Sequence, residues 1–509
     1  MNEKFYSFFS KYGLLLILII AIFFRFYNLA LTPPGLYPDE AMDGTNAQEA
    51  LSTSNFKVFY PENNGREGLF INIQAILLKI FKVNEPWVLR SESAVFGILT
   101  VLGIYLLLQF VFRKKIYSHL VAFLASFFIA ISFWHINFSR ISFRAIMAPA
   151  FLVWGIYLLI RSLETLREPE IKTKKLLWLS LIGGAVYGLG MHSYIAYRAT
   201  PLLVILIYVF YLWLYKVNFK KLFLAFVIYV AASLVVFAPL GIYFLKNPAD
   251  FFGRTSGLSI TASSTPLKDL GMNIVKTLGM FNIRGDGNWR HNYSGAPEIY
   301  WFVGIFFIIG ILLCWNRTFT RKALDDDGNE IRFAWLINVS WLAVAMLPVI
   351  ISNEGIPHAL RSILMIPAAY MLAGLGALTF IVFIYRKTTK PVIMHLALII
   401  IGIALIAQAY LNYFVLWANN PNVAGAFDQK YANLGRQLNE IMPTIKKYVI
   451  VDTGGVLVRG IPMPSQTIMF LTDTFTPEKQ KEKNIYYLLP EQEKQIKDNN
   501  AVIVYLEVK

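Results

Sequence analysis

The sequence is short of charge. Of 509 residues only 15% are Asp, Glu, Lys or Arg, against 56% hydrophobic, and the mean hydropathy is +0.52. Soluble domains carry roughly 25% charged residues. A chain this long could not keep a large surface hydrated with so few. That excludes a soluble multidomain enzyme and a disordered chain, and leaves a polytopic membrane protein. There is one cysteine, Cys314, inside an apolar run. No internal disulfide can form, so a disulfide scaffold is excluded too. The six histidines show no ligand spacing such as HExxH. A metal site therefore has no positive support in the sequence; no cofactor is required if arginines neutralise a phosphate, and whether a divalent metal is bound stays open. The Gly454-Gly455 pair is too little to mark a nucleotide-binding turn, and no internal repeat or low-complexity stretch is visible.

What is present is basic charge and long apolar runs. The net charge is +16, from 47 Lys and Arg against 31 Asp and Glu. The basic residues lie in short clusters between apolar runs, which favours membrane lipids over nucleic acid as partners. Eleven runs approach the length of a span: 13–31, 90–112, 116–136, 145–163, 177–195, 199–215, 222–245, 298–315, 333–352, 362–385 and 391–411. The first contains Arg25 and is followed by no small-residue cleavage site, so it reads as a retained anchor. Gly68–Phe81 is too short to span and carries Asn72, Gln74 and Lys79, which suits an amphipathic helix in the interface. With eleven spans the clusters around Lys4/Lys11, 113–115, 161–175, 216–221, 317–332 and 386–390 all fall on one side. The positive-inside rule then places the N-terminus in the cytoplasm and the C-terminus outside. The expected location is an inner or plasma membrane, crossed many times.

Two domains are expected: residues 1–411 in the membrane, with a first external loop over 32–89, and an extracytoplasmic α/β domain over 412–509. In the tail, Phe427, Tyr431, Leu434, Leu438 and Ile441 repeat at helical spacing, and 448–451, 484–489 and 501–508 are β-rich.

The first external loop carries the chemistry. Prolines and Gly35 force a non-helical exit from the first span, and Asp39 and Glu40 follow directly. A carboxylate at the membrane surface can act as general base towards a hydroxyl, because partial burial raises its pKa towards the working pH. The same two residues can equally cap the helix that follows. A second set lies at the external ends of several spans: Arg140 and Arg144; His192, Tyr194 and Arg198; His358 and Arg361. Arginines there are not explained by the positive-inside rule. Singly they can snorkel to headgroups; as a set they suit a lipid phosphate. Asp286 and His291, in the loop before the eighth span, can touch a polar substrate or simply occupy a turn, and the turn is the simpler reading.

Asp39-Glu40 after the first span, Asn63-Asn64-Gly65-Arg66-Glu67 before the interfacial helix, Arg90 opening the second span and Ser139-Arg140 to Arg144 together resemble the bacterial membrane glycosyltransferases of family 39. These are relatives of the protein O-mannosyltransferases and of the lipid A aminoarabinose transferase. The resemblance implies a mainly α GT-C fold. It also implies transfer of a sugar from a polyprenyl-phosphate donor to an acceptor hydroxyl on a glycan, lipid or protein, by inverting single displacement at the outer face. It implies Asp39 as catalytic base and Glu40 as its assistant, with Arg140, Arg144, His358 and Arg361 as candidates for the donor phosphate; Arg66, Glu67, His192, Tyr194 and Arg198 join them as candidate substrate-binding residues. Relatives often carry Lys-Pro where this chain has Glu67-Gly68; Arg66 stands in for the missing charge. A transporter or flippase of a lipid-linked glycan is the alternative, and would need ionisable residues nearer the bilayer midplane. A scaffold whose tail binds a partner is a third.

Overall fold

The computed structural model describes residues 3–256, 260, 263–319, 326–352, 355–389 and 391–507. Asp325, Lys390 and the centre of the basic segment 317–332 lie outside them. Among the described residues, eight helices are long and apolar enough to cross a membrane. They match eight of the eleven expected runs. The other three runs are helical as well, over Ser118–Ala130, Thr173–Gly190 and Trp301–Phe319. The third run breaks because Ser132 caps a new short helix, its Oγ accepting from His135 N at 3.2 Å. The last run continues as a π-helical turn, Leu411–Trp417, so the expected boundary at 411 moves outward. Its Tyr413 and Trp417 rings pack on Phe133.

Helix α1 (Glu3–Phe26) leads to α2 (Pro38–Thr53), α3 (Gly68–Phe81) and α4 (Pro86–Val111). The bounds of α3 are those expected of the interfacial helix. Two buried arginines close the ends of helices here. Arg25 donates to Ala130 O at 3.0 Å, at the C-terminus of Ser118–Ala130, and meets His135 Nδ1 at 2.7 Å. Arg140 donates to Phe24 O and Arg25 O at 3.0 Å and to Thr32 O at 2.9 Å. The last carbonyls of a helix have no intrahelical donor and carry partial negative charge, so a guanidinium there is well matched.

The tail forms a three-stranded parallel sheet, with Lys447–Asp452 between Ile485–Leu488 and Val502–Glu507. The expected helix is present over Gln429–Glu440. A further helix, Gln466–Thr472, packs on α2. Thr45 Oγ1 donates to Gln466 Oε1 at 3.0 Å, and Gln48 Nε2 to Phe470 O at 2.9 Å. Leu36, Ala41, Ile71, Ala75, Leu89, Ala432, Phe470 and Leu471 share one apolar core. The tail is thus built into the first loop rather than tethered to it. Gly44 permits the close approach: a Cβ there would lie 2.6 Å from Phe470 Cδ2 and 2.8 Å from Leu89 Cδ1. Gly44→Ala is expected to cost about 1–3 kcal/mol through overpacking. Limited proteolysis of the tail should detect it, and an unchanged digestion rate would argue that the contact is slack.

Candidate active site

Local sequence sets the geometry of the first loop. Pro38 opens α2 and places Asp39 in its first turn. Asn63, Asn64 and Gly65 all have positive φ, which asparagine and glycine tolerate best, and they turn β1 (Phe59–Tyr60) back onto β2 (Arg66–Glu67). This brings Arg66 over α2, where Asp39 and Asp43 are one turn apart. Arg66 Nη2 lies 3.0 Å from Asp39 Oδ1, and its Nε lies 3.0 Å from Asp43 Oδ1. Asn63 Nδ2 donates to the same Asp39 oxygen at 2.8 Å. Asp43 is buried, and burial pushes its carboxyl up to about 6 against the pull of Arg66. Asp39 is 43% exposed. Its Oδ1 is fixed by two donors, while its Oδ2 makes no hydrogen bond to the described residues.

Asp39 stands between two recesses. The smaller, about 120 Å³, is lined by Asp43, Asn63, Arg66, Arg144 and Tyr194 among others. The larger, about 1090 Å³, is bounded by Tyr37, Asp39, the 283–291 loop, the 355–361 loop and the end of helix Pro266–Gly279. Its wall carries four cations (Lys276, Arg284, Arg290, Arg361) and two carboxylates (Asp39, Asp286). Counting the histidines as neutral, that is a surplus of two positive charges. The smaller recess is balanced, with Arg66 and Arg144 against Asp39 and Asp43. An anion is therefore favoured in the larger one.

Several expected site residues do other work. Glu40 is fully buried, with Arg90 Nε at 2.9 Å from Oε2 and Arg90 Nη2 at 3.0 Å from Oε1. It also accepts from Ser142 N at 2.8 Å and Tyr37 N at 3.2 Å. Both oxygens are taken by these donors, so it ties the loop together, and it lines neither recess. Arg140, expected at the donor, is 0% exposed and committed to the end of α1. Glu67 is buried between Arg144 Nε at 2.7 Å and Arg198 Nη2 at 3.8 Å. Arg198 also stacks on Phe251 at 4.2 Å and lines neither recess. His192 is turned away, its Nε2 2.9 Å from Val236 O. His358 and Arg361 do line the larger recess, and Tyr194 and Arg144 the smaller.

The 283–291 loop, in which sequence offered Asp286 and His291 as the weaker candidates, lines the larger recess, and its Arg284 and Arg290 are the residues that sequence reasoning missed. Asp286 Oδ2 meets His291 Nδ1 at 3.0 Å and accepts from Ala359 N at 2.9 Å, and His358 Nδ1 is 3.8 Å away. Burial would raise the Asp286 carboxyl, but the hydrogen bonds from His291 and Asn288 hold it below the usual range. Burial, helped by His291, depresses the His358 imidazole. Arg290 Cζ sits over the Tyr37 ring, 3.8 Å from its centroid. The loop is fixed from below by Asn137 Nδ2 to Arg290 O at 2.6 Å and Trp417 Nε1 to Trp289 O at 3.0 Å. A Gly-Asp-Gly-Asn turn followed by Trp-Arg-His was the only signal of it in the sequence.

The architecture recurs in solved membrane glycosyltransferases. The apo oligosaccharyltransferase of Archaeoglobus fulgidus superposes with a TM-score of 0.53 at 15% identity, over 96% of this chain and 66% of that one. ArnT of Cupriavidus metallidurans bound to undecaprenyl phosphate gives 0.52 at 13% identity, over 99% of this chain and 93% of that one. The Archaeoglobus fulgidus enzyme AglB, held with an inhibitory peptide and a dolichol-phosphate, gives 0.53 at 14% identity, over 91% and 64%. The chain thus spans about two thirds of the oligosaccharyltransferase and nearly all of ArnT. At these identities the likeness defines the fold: a multi-pass GT-C protein with a C-terminal domain. No family model matches the chain, and no curated protein does.

Proposed function

We propose that the protein is a membrane glycosyltransferase of the family 39 type, which transfers a sugar from a polyprenyl-phosphate donor to an acceptor hydroxyl with inversion. The observation that carries this reading is Asp39, a half-exposed carboxylate in the wall of a recess with surplus positive charge. A sugar phosphate is already activated, since its phosphate leaves readily. The protein has only to position the partners, take a proton from the acceptor and neutralise the departing phosphate. Asp39 Oδ2 takes that proton. Arg361, Arg290, Arg284 and Lys276 receive the phosphate. Helix Pro266–Gly279 supports a lipid-borne donor: it brings Lys276 to the recess while Leu267 and Val275 stand 85% and 67% exposed, as an interfacial helix would present them to acyl chains. The site face then lies outside the cell membrane, with the N-terminus in the cytoplasm.

Purified protein given radiolabelled polyprenyl-phosphate sugar and membrane extract as acceptor source should form labelled product, with the anomeric configuration inverted. Donor consumption without a new glycosidic bond would refute the reading. Arg361→Ala should raise the donor KM about 10- to 100-fold, the worth of a hydrogen bond to a charged group, with a smaller change in kcat. An unaltered donor KM would move the phosphate elsewhere.

A further inference from the structure

We propose that Asp286, His291 and His358 form a binding site for one divalent metal ion of the zinc class, open towards the large recess. The three side chains come from two loops far apart in sequence, yet one ligand atom of each lies within 4.8 Å of the others. The edges from Asp286 Oδ2 to His291 Nδ1 and His358 Nδ1 are 3.0 and 3.8 Å. Ligand atoms about 2.0–2.1 Å from a tetrahedral ion stand roughly 3.3–3.5 Å apart, so the two edges bracket what an ion would impose. Small rotations of the two rings suffice. The rings already face each other, with centroids 4.9 Å apart and planes 31° from parallel.

The surroundings are built in the way metal sites are. The Asp286 carboxylate is oriented by backbone donors, Asn288 N to Oδ1 at 2.7 Å and Ala359 N to Oδ2 at 2.9 Å. Asp286 and His291 are buried, and all three ligands line the recess. Two imidazoles and one carboxylate suit zinc over magnesium or calcium, which want more oxygens. Three protein ligands leave a fourth position for water or another ligand from the recess. Arg290 and Arg361 share that space and oppose a cation, so a moderate affinity is expected rather than that of a closed structural site.

Binding of the metal alone tests this, without reference to transfer. Full-length protein in detergent, stripped with chelator, should take up one Co²⁺ per chain with the intense visible bands of a four-coordinate ion, displaced by Zn²⁺. Zinc should raise the melting temperature of the wild type. His358→Ala and His291→Ala should each weaken binding more than about tenfold, as loss of a ligand must exceed loss of its supporting shell. The metal-free melting temperature serves as the folding control. If the wild type shows no such Co²⁺ spectrum and retains no zinc, or if a double His291→Ala/His358→Ala variant binds as the wild type does, the site is only a clasp between two loops and the proposal falls.

Discussion

Replacing Asp39 with asparagine is expected to slow sugar transfer about 10²- to 10⁴-fold, the usual contribution of a positioned general base. The amide keeps an oxygen in place for Asn63 Nδ2 and Arg66 Nη2, so the loop loses little. Arg66 also retains Asp43 at 3.0 Å. The lost charge is 43% exposed, and pairs with such access to water are worth about 0–1 kcal/mol. A folded and inactive protein is thus the expected outcome. The loss should appear in kcat, with donor binding nearly intact, because the phosphate cations lie on other loops. A folded variant that transfers sugar at the wild-type rate would remove Asp39 from the chemistry. A variant that still moves lipid-linked glycan across proteoliposomes would favour the transporter.

Length and hydropathy made the helices visible, since a span must satisfy its own backbone and run for about 20 apolar residues. Asp39 was visible for a similar reason: it follows a proline-rich exit from the first span, so its place at the surface is fixed by near neighbours. The arginines were harder. Arg140 and Arg361 both stand at the ends of spans, and sequence treats them alike. One meets the carbonyls that end α1, and the other faces the large recess. Which helix end lies beside a given guanidinium is a tertiary matter. The same applies to Asp286 and His358, brought together by the packing of two loops that share no local pattern. The helix Gln466–Thr472 escaped notice because its apolar residues serve an interface with α2, and an interface has no period along one chain.

Glu40→Ala is expected to cause the largest loss of stability. Its carboxylate and the Arg90 guanidinium are both 0% exposed. Arg90 also donates to Pro33 O at 2.7 Å and Gly35 O at 2.9 Å, so the pair ties α2 to α4 and to the turn between α1 and α2. Gly35 is itself pressed against the tail: its φ is +71°, and a Cβ there would lie only 2.3 Å from Phe427 O. Removing the carboxylate would strand a buried cation, at about 3–5 kcal/mol. It would also strip the N–H groups of Ser142 and Tyr37 of their acceptor, at about 1–3 kcal/mol for each that stays buried. Against a total stability of about 5–15 kcal/mol, that should be enough to lower the melting temperature sharply in detergent and to release the tail to protease. Replacing both partners, Glu40→Leu with Arg90→Met, should recover much of the loss, because the stranded charge is then gone. It should restore part of the transfer activity too, since Asp39 remains. The opposite pattern, an alanine variant that melts like the wild type yet transfers nothing, would return Glu40 to the reacting centre.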